Sequence, residues 1–182
     1  LALKLGVPVP SIAEGLFARW LSGKNELTKN KATAISKKDW LPSIERLKNT
    51  LPNSLLITFA SSYLQWIELI QRAEAEWHWG INIREVIRIW QGGCIIRSAM
   101  LPLIDGLIQW DESNWNIIKI LSDSPTEDLG ISTPVFDASR NYLRGFFAEK
   151  LPTNLIQAMR DSFGAHGVKR IGSDVSESFQ WK

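Results

Sequence analysis

Two arginines and a histidine are the residues in this sequence whose types and settings suit chemistry on an anion. Arg160 lies beside the apolar stripe Leu155, Ile156, Met159 and Phe163 of an expected last helix. His166 follows just past Gly164, the expected stop of that helix. A guanidinium and an imidazole gathered at one helix end can receive a phosphate or a carboxylate. The third residue is Arg19, which projects beside Ile12 at the edge of the face made by Ile12, Leu16, Phe17, Trp20 and Leu21. Spacing alone leaves it either a solvated helix arginine or an anion contact. Cys94, between Gly93 and Ile95 and distant in sequence from both histidines, reads as a small buried hydrophobe rather than a nucleophile. His78, between Trp77 and Trp79, reads as a packed or helix-capping imidazole. With one Cys and two His in the whole chain, no metal site is expected.

Helices must position these groups. Ser11 and Glu14 after Pro10 have the spacing of a capping box and predict a helix running to about Leu21. A short helix is expected from Leu41 to Thr50, with Pro42 in its first turn. A break at Pro52 and Asn53 then leads into a long central helix reaching Trp77. On that helix Leu56, Phe59, Tyr63, Ile67, Ile70, Ala73 and Trp77 make the buried face. Ser61, Gln65, Glu68, Arg72 and Glu76 make the solvent face. Asn82 with Glu85 opens the next helix, which Gly92 and Gly93 end. Neither glycine carries a Cβ, so two backbones are expected to approach closely there. Further helices follow around Pro102, over Asn114 to Leu121, from Pro134, and from Thr153 or Asn154. No stretch alternates over a strand's length and no G-x-G-x-x-G follows a strand, so the expected class is all-α with no dinucleotide cradle. The expected division is a helical domain over 1–166 and an extended tail over 167–182, anchored by Phe179 and Trp181.

Composition narrows the partners. With 182 residues, 45% of them hydrophobic, the chain is long enough for one sizeable core. A net charge of +2 advertises neither a membrane surface nor nucleic acid, and the lysines from Lys24 to Lys38 have no aromatics interleaved with them for stacking bases. The single cysteine fits a reducing, cytoplasmic setting.

Several segments also resemble one family. IWQGGCIIRS, over Ile89 to Ser98, and RDSFGAH, over Arg160 to His166, resemble the W-R-G-G-C-I-I-R-S and Q-R-D-Y-F-G-A-H motifs of 6-phosphogluconate dehydrogenases, in their all-helical C-terminal domain. SSYLQWIELIQRA resembles the family's S-Y-A-Q-G-F-x-L-L-R-x-A helix. LGVPVPSIAEGLFAR resembles G-V-P-x-x-x-I-x-E-A-V-F-A-R, whose last arginine contacts the substrate phosphate, and that position is Arg19. AEKLPTNLIQAMRDSFGAH resembles L-P-A-N-L-I-Q-A-Q-R-D-Y-F-G-A-H, whose arginine and histidine reach the neighbouring subunit's active site, and those positions are Arg160 and His166.

The resemblance covers most of the chain. It implies a homodimeric, NADP-dependent enzyme of the oxidative pentose phosphate pathway. In that family a lysine base takes the proton from the 3-hydroxyl of 6-phosphogluconate while hydride leaves for NADP. The β-keto acid then loses carbon dioxide to give ribulose 5-phosphate. The family's catalytic lysine and glutamate, and its dinucleotide-binding domain, lie upstream of anything present here. No catalytic residue, bound cofactor or turnover is therefore expected of this chain alone. It departs from the family at Gln91, where the motif has arginine, at Val168 and Ser178, where the tail has an aromatic and a second histidine, and in a shorter stretch between Leu121 and Gly130. Those departures suit an alternative, a non-catalytic helical oligomerisation module derived from the enzyme.

Overall fold

A computed structural model of the chain describes residues 1–24, 44–109, 111–123 and 132–181. Among these are eight helices: α1 (Ala2–Leu5), α2 (Pro10–Ser22), α3 (Ile44–Trp77), α4 (Ile83–Gln91), α5 (Leu101–Ile108), α6 (Glu112–Asp123), α7 (Pro134–Phe147) and α8 (Asn154–Gly164). The described strands, β1 (Val168–Lys169) and β2 (Ser176–Glu177), form one antiparallel pair. The fold is all-α, as the sequence predicts. The lysine-rich segment beyond Lys24, the start of the helix expected at Leu41 and, past residue 123, the stretch between Leu121 and Gly130 expected to be short lie outside the described residues. The chain forms two compact units, Leu1–Phe147 and Ala148–Lys182.

The first unit is built on α3. Ile57, Ala60, Tyr63 and Ile67 of this helix meet Ile87 of α4, Leu101, Ile104 and Leu107 of α5, Ile118 of α6 and Leu143 of α7 in one core. Instead of breaking at Pro52, the chain runs as a single 34-residue helix through it. An interior proline removes a hydrogen bond and crowds the preceding turn, a penalty of about 3 kcal/mol. Pro52 and Lys48, whose carbonyl loses its partner, are both exposed, so water can serve the freed oxygen.

Helical periodicity misassigns two faces here. Ser61 and Gln65, expected in solvent, are completely buried, whereas Phe59 is 49% exposed. Ser11 does not cap α2, whose N-cap is Val9 with no side-chain bond. Its hydroxyl instead lies 2.8 Å from Ser61 Oγ, and Gln65 Nε2 donates to both hydroxyls at 2.8 and 2.9 Å. Gln65 Oε1 accepts the Ser11 backbone N–H at 3.1 Å, and Ser139 Oγ of α7 lies 2.9 Å from Ser11 Oγ and 2.7 Å from the Val135 carbonyl. Ser139 Oγ is the donor toward both Ser11 Oγ and the Val135 carbonyl and shares its one proton between them, while either hydroxyl of the Ser11–Ser61 pair can donate to the other. Every polar atom of this buried cluster is thereby satisfied, which is the condition for burying it. The face of α2 that carries Leu16, Phe17, Trp20 and Leu21 is left exposed.

The paired glycines also act differently from expectation. A Cβ at Gly92 or Gly93 would meet nothing within 4 Å, so among the described residues no second backbone packs against that side of either glycine. What Gly93 contributes is a φ of +78°, which turns the chain out of α4. After that turn the Ile96 carbonyl accepts a hydrogen bond from the Tyr63 hydroxyl. Cys94 is partly exposed, and His78 caps the end of α3 through its backbone, with φ +53° and its N–H on the Glu74 carbonyl at 2.8 Å. Asn82 caps α4 as predicted, accepting from the Arg84 N–H at 3.0 Å.

Candidate functional site

Arg160 and His166 both belong to the second unit, and the local chain between them explains their setting. The helix α8 stops at Gly164, and the left-handed residue that follows is Ala165 (φ +49°), not the glycine expected to make the stop. A left-handed alanine is disfavoured by about 1 kcal/mol. Gly164 instead lies against the histidine, for a Cβ there would lie 2.8 Å from His166 Nε2. The bare glycine lets the imidazole fold back over the end of α8. Gly167 then takes φ +76°, and a Cβ there would sit 2.2 Å from Ser176 Oγ. His166 is thus set between Gly164, whose missing Cβ leaves room for its ring, and Gly167, whose left-handed φ favours glycine.

Asp161 holds this turn to the tail. It is 2% exposed, and its carboxylate is fully subscribed. Oδ1 accepts from the Gly167 N–H and the Ser178 hydroxyl, each at 2.7 Å. Oδ2 accepts from the Phe179 N–H at 2.9 Å and the Trp181 indole N–H at 2.8 Å. The Phe179 amide first, then Ser178, Trp181 and Gly167, bring its pKa down to about 2, against the opposing effect of burial. The tail is therefore a small hairpin pinned on a carboxylate. Phe179 and Trp181 do anchor it as predicted, but through their N–H groups, since both rings stay partly exposed. Arg170 is engaged within the hairpin, donating to Glu177 Oε1 at 2.9 Å and lying 5.3 Å from the Phe179 ring centroid.

Arg160 differs in burial from Asp161, its neighbour in the sequence. It is exposed, and its one described bond is a long one, Nη1 to Gln157 Oε1 at 3.3 Å. Gln157 in turn donates through Nε2 to the Gly167 carbonyl, so a single amide ties Arg160 to the turn that carries His166. Most of the guanidinium's donors remain open to a ligand. The expected core stripe of α8 is exposed, with Leu155, Ile156, Met159 and Phe163 all in solvent and Phe163 at 83%.

Arg19 lies in the first unit, near the end of α2. It is exposed and its carbonyl accepts from Ser22 Oγ at 2.7 Å, while its guanidinium has no hydrogen bond or ion pair among the described residues. The neutral Ser11, Ser61, Gln65 and Ser139 cluster fixes α2 against α3 and α7 and so sets where Arg19 stands. Sequence reasoning missed Asp161, Gln157 and Gln65. Asp161 carried a signal, an acid within the RDSFGAH motif, but its donors Ser178, Phe179 and Trp181 lie 17 to 20 residues further on.

Chemically, Arg160 offers open guanidinium donors and His166 an exposed imidazole, groups that suit an oxyanion. The strands among the described residues are two residues long each and precede no helix, unlike the strand–turn–helix unit of a dinucleotide cradle. No group of three or more His, Cys, Asp or Glu among those residues is placed to hold a metal ion, and no helix among them is long and apolar enough to cross a membrane.

Comparison with known proteins agrees with this fold. The model of the 6-phosphogluconate dehydrogenase C-terminal domain matches residues 1–181. The chain is 34% identical to the decarboxylating 6-phosphogluconate dehydrogenase 1 of Saccharomyces cerevisiae, over 97% of its own length and 40% of that protein. It is 32% identical to the chloroplastic decarboxylating 6-phosphogluconate dehydrogenase 2 of Spinacia oleracea, over 99% of its length and 38% of that protein. It thus spans about two fifths of these relatives. Among solved structures it is similar to the 6-phosphogluconate dehydrogenase of Plasmodium falciparum, determined apo, with its cofactor NADP+ and with its substrate 6-phosphogluconate. The TM-score is 0.77 at 28% identity, covering 99% of this chain and 43% of the other. An all-helical body that ends in a histidine-bearing turn, and a family match running from the first residue to the last but one, place this chain in the 6-phosphogluconate dehydrogenase C-terminal domain family.

Proposed function

We propose that this chain serves a 6-phosphogluconate dehydrogenase as its substrate-phosphate-contacting and dimer-forming domain. The observation that carries the reading is the end of α8. There Arg160 keeps its donors open, and Gly164 makes room for the His166 imidazole. Arg19 supplies a further guanidinium with no partner of its own among the described residues. Each charge-assisted bond to a phosphate oxygen contributes about 1.5–3 kcal/mol. The exposed stripes on α2 and α8 suit burial against a second copy, with Arg160 and His166 acting on the neighbouring subunit's substrate. On this reading oxidation by NADP and decarboxylation belong to the whole enzyme, and the 182-residue chain alone binds without turnover.

Calorimetric titration of the chain with 6-phosphogluconate and with unphosphorylated gluconate tests this. Preference for the phosphate ester is expected, weakened about tenfold or more by either Arg19→Ala or Arg160→Ala. Equal binding of the two sugar acids, or binding indifferent to both substitutions, would overturn it. The second reading, a helical oligomerisation module without substrate contacts, is favoured by the same exposed stripes. It predicts a dimer in sedimentation with no phosphate-ester preference.

A further inference from the structure

Arg140 on α7 is a buried cation whose guanidinium has no acceptor among the described residues. The residue is 6% exposed, and its Nη1 is sealed from solvent with no hydrogen-bond partner. Asp137, one turn earlier, is exposed and accepts a hydrogen bond from Thr133 Oγ1 at 3.1 Å. Arg144, one turn later, donates through Nε to the Ser122 carbonyl at 3.1 Å, which leaves its terminal amino groups unassigned among the described residues. Burial first, and then the charge of Arg144, depress the Arg140 pKa below the ordinary arginine value, with Asp137 opposing. Positions four apart on a helix share one face, so Arg140 and Arg144 lie on one side of α7, close enough for the charge of one to be felt at the other. A buried charge left unpaired is strongly destabilising, and a ligand that supplies oxygens to it removes that penalty.

We propose that Arg140 and Arg144 form an oxyanion site that takes a small tetrahedral dianion: sulfate, inorganic phosphate or a phosphate monoester. The planar fork of each guanidinium matches adjacent oxygens of such an anion, and the two positive charges match its two negative ones. This site uses none of Arg19, Arg160 and His166.

The test is thermal unfolding of the 182-residue chain carrying Arg19→Ala and Arg160→Ala, so that those arginines contribute nothing. Sulfate or phosphate is titrated at constant ionic strength made up with chloride. The expected result is a saturating rise in Tm of about 3–6 °C at ten times Kd. Arg140→Leu abolishes that rise, and Arg140→Lys, which keeps the charge and loses the fork, reduces it. Without anion, Arg140→Leu unfolds at a higher temperature than the parent, because the unpaired charge is gone. If Arg140→Leu does not fold, Arg140→Lys alone carries the comparison. An equal rise in the Arg140 variants, or a rise linear in salt with no saturation, is general salt exclusion and overturns the site.

Discussion

The two units of this chain are each held by a buried polar hub, and the hubs are opposites. In the helical unit Gln65 and three serines form a neutral cluster in which every donor meets an acceptor. In the second unit one carboxylate, Asp161, gathers four donors from the turn and the tail. A neutral hub joins whole helices and is indifferent to pH. An anionic hub can fasten a short hairpin that has almost no apolar core, because charge-assisted bonds are about twice as strong as neutral ones, yet it becomes titratable. The unit that carries Arg160 and His166 is the one held by the charge.

Gln65→Ala breaks the comparison hardest on the neutral side. It strands the Ser11 N–H and removes the amide that joins Ser11 to Ser61, a loss of about 3 kcal/mol. Thermal unfolding should show Tm lowered by about 6–12 °C. Asp161→Asn breaks the anionic side, since an amide oxygen replaces only one of two acceptors. Hydrogen exchange at the Gly167 and Phe179 amides should speed up by about tenfold or more, with the core amides of α3 unchanged.

Acid separates the hubs without mutation. The Asp161 pKa is depressed in the folded chain to about 2, so its contribution is complete above the ordinary aspartate value of about 3.9 and is lost as pH falls through about 2. Trp181 fluorescence should follow that loss below about pH 4, and in Asp161→Asn this component of the pH dependence should vanish. The smallest change in stability and the most local change in function come from Gly164→Ala. Alanine is the better helix residue by about 1 kcal/mol, but its Cβ claims the place of the imidazole. Stability should hold or rise slightly while 6-phosphogluconate binding weakens severalfold, and calorimetry with a melting curve checks both.

Much of the fold was legible in the sequence. Helical periodicity and caps located most of the helices, including the Asn82 cap of α4 and the proline start of α7. The motif at Arg160 and His166 pointed to the end of α8. What was not legible has physical causes. Pro52 reads as a break because its penalty is local, whereas the long helix is held by packing further along it. Ser61 and Gln65 read as solvent-facing because polarity stands for exposure until the partners, 50 and 54 residues away at Ser11, are known. The apolar stripes of α2 and α8 read as core because periodicity reports which face is apolar, not what covers it. Asp161 was passed over because a carboxylate reveals nothing of its donors until the tail folds back onto it.

The chain contains two histidines, and this permits the most direct test of the proposed phosphate site. His166 is part of the proposed site, while His78 sits exposed at the end of α3 in the other unit. Histidine ring resonances would be followed by NMR as 6-phosphogluconate is added to the 182-residue chain. The expected result is a saturable shift of the His166 signals, absent from His78 and weakened in Arg160→Ala. Equal small shifts at both histidines, or a His166 signal that stays put while ligand binds, would contradict it.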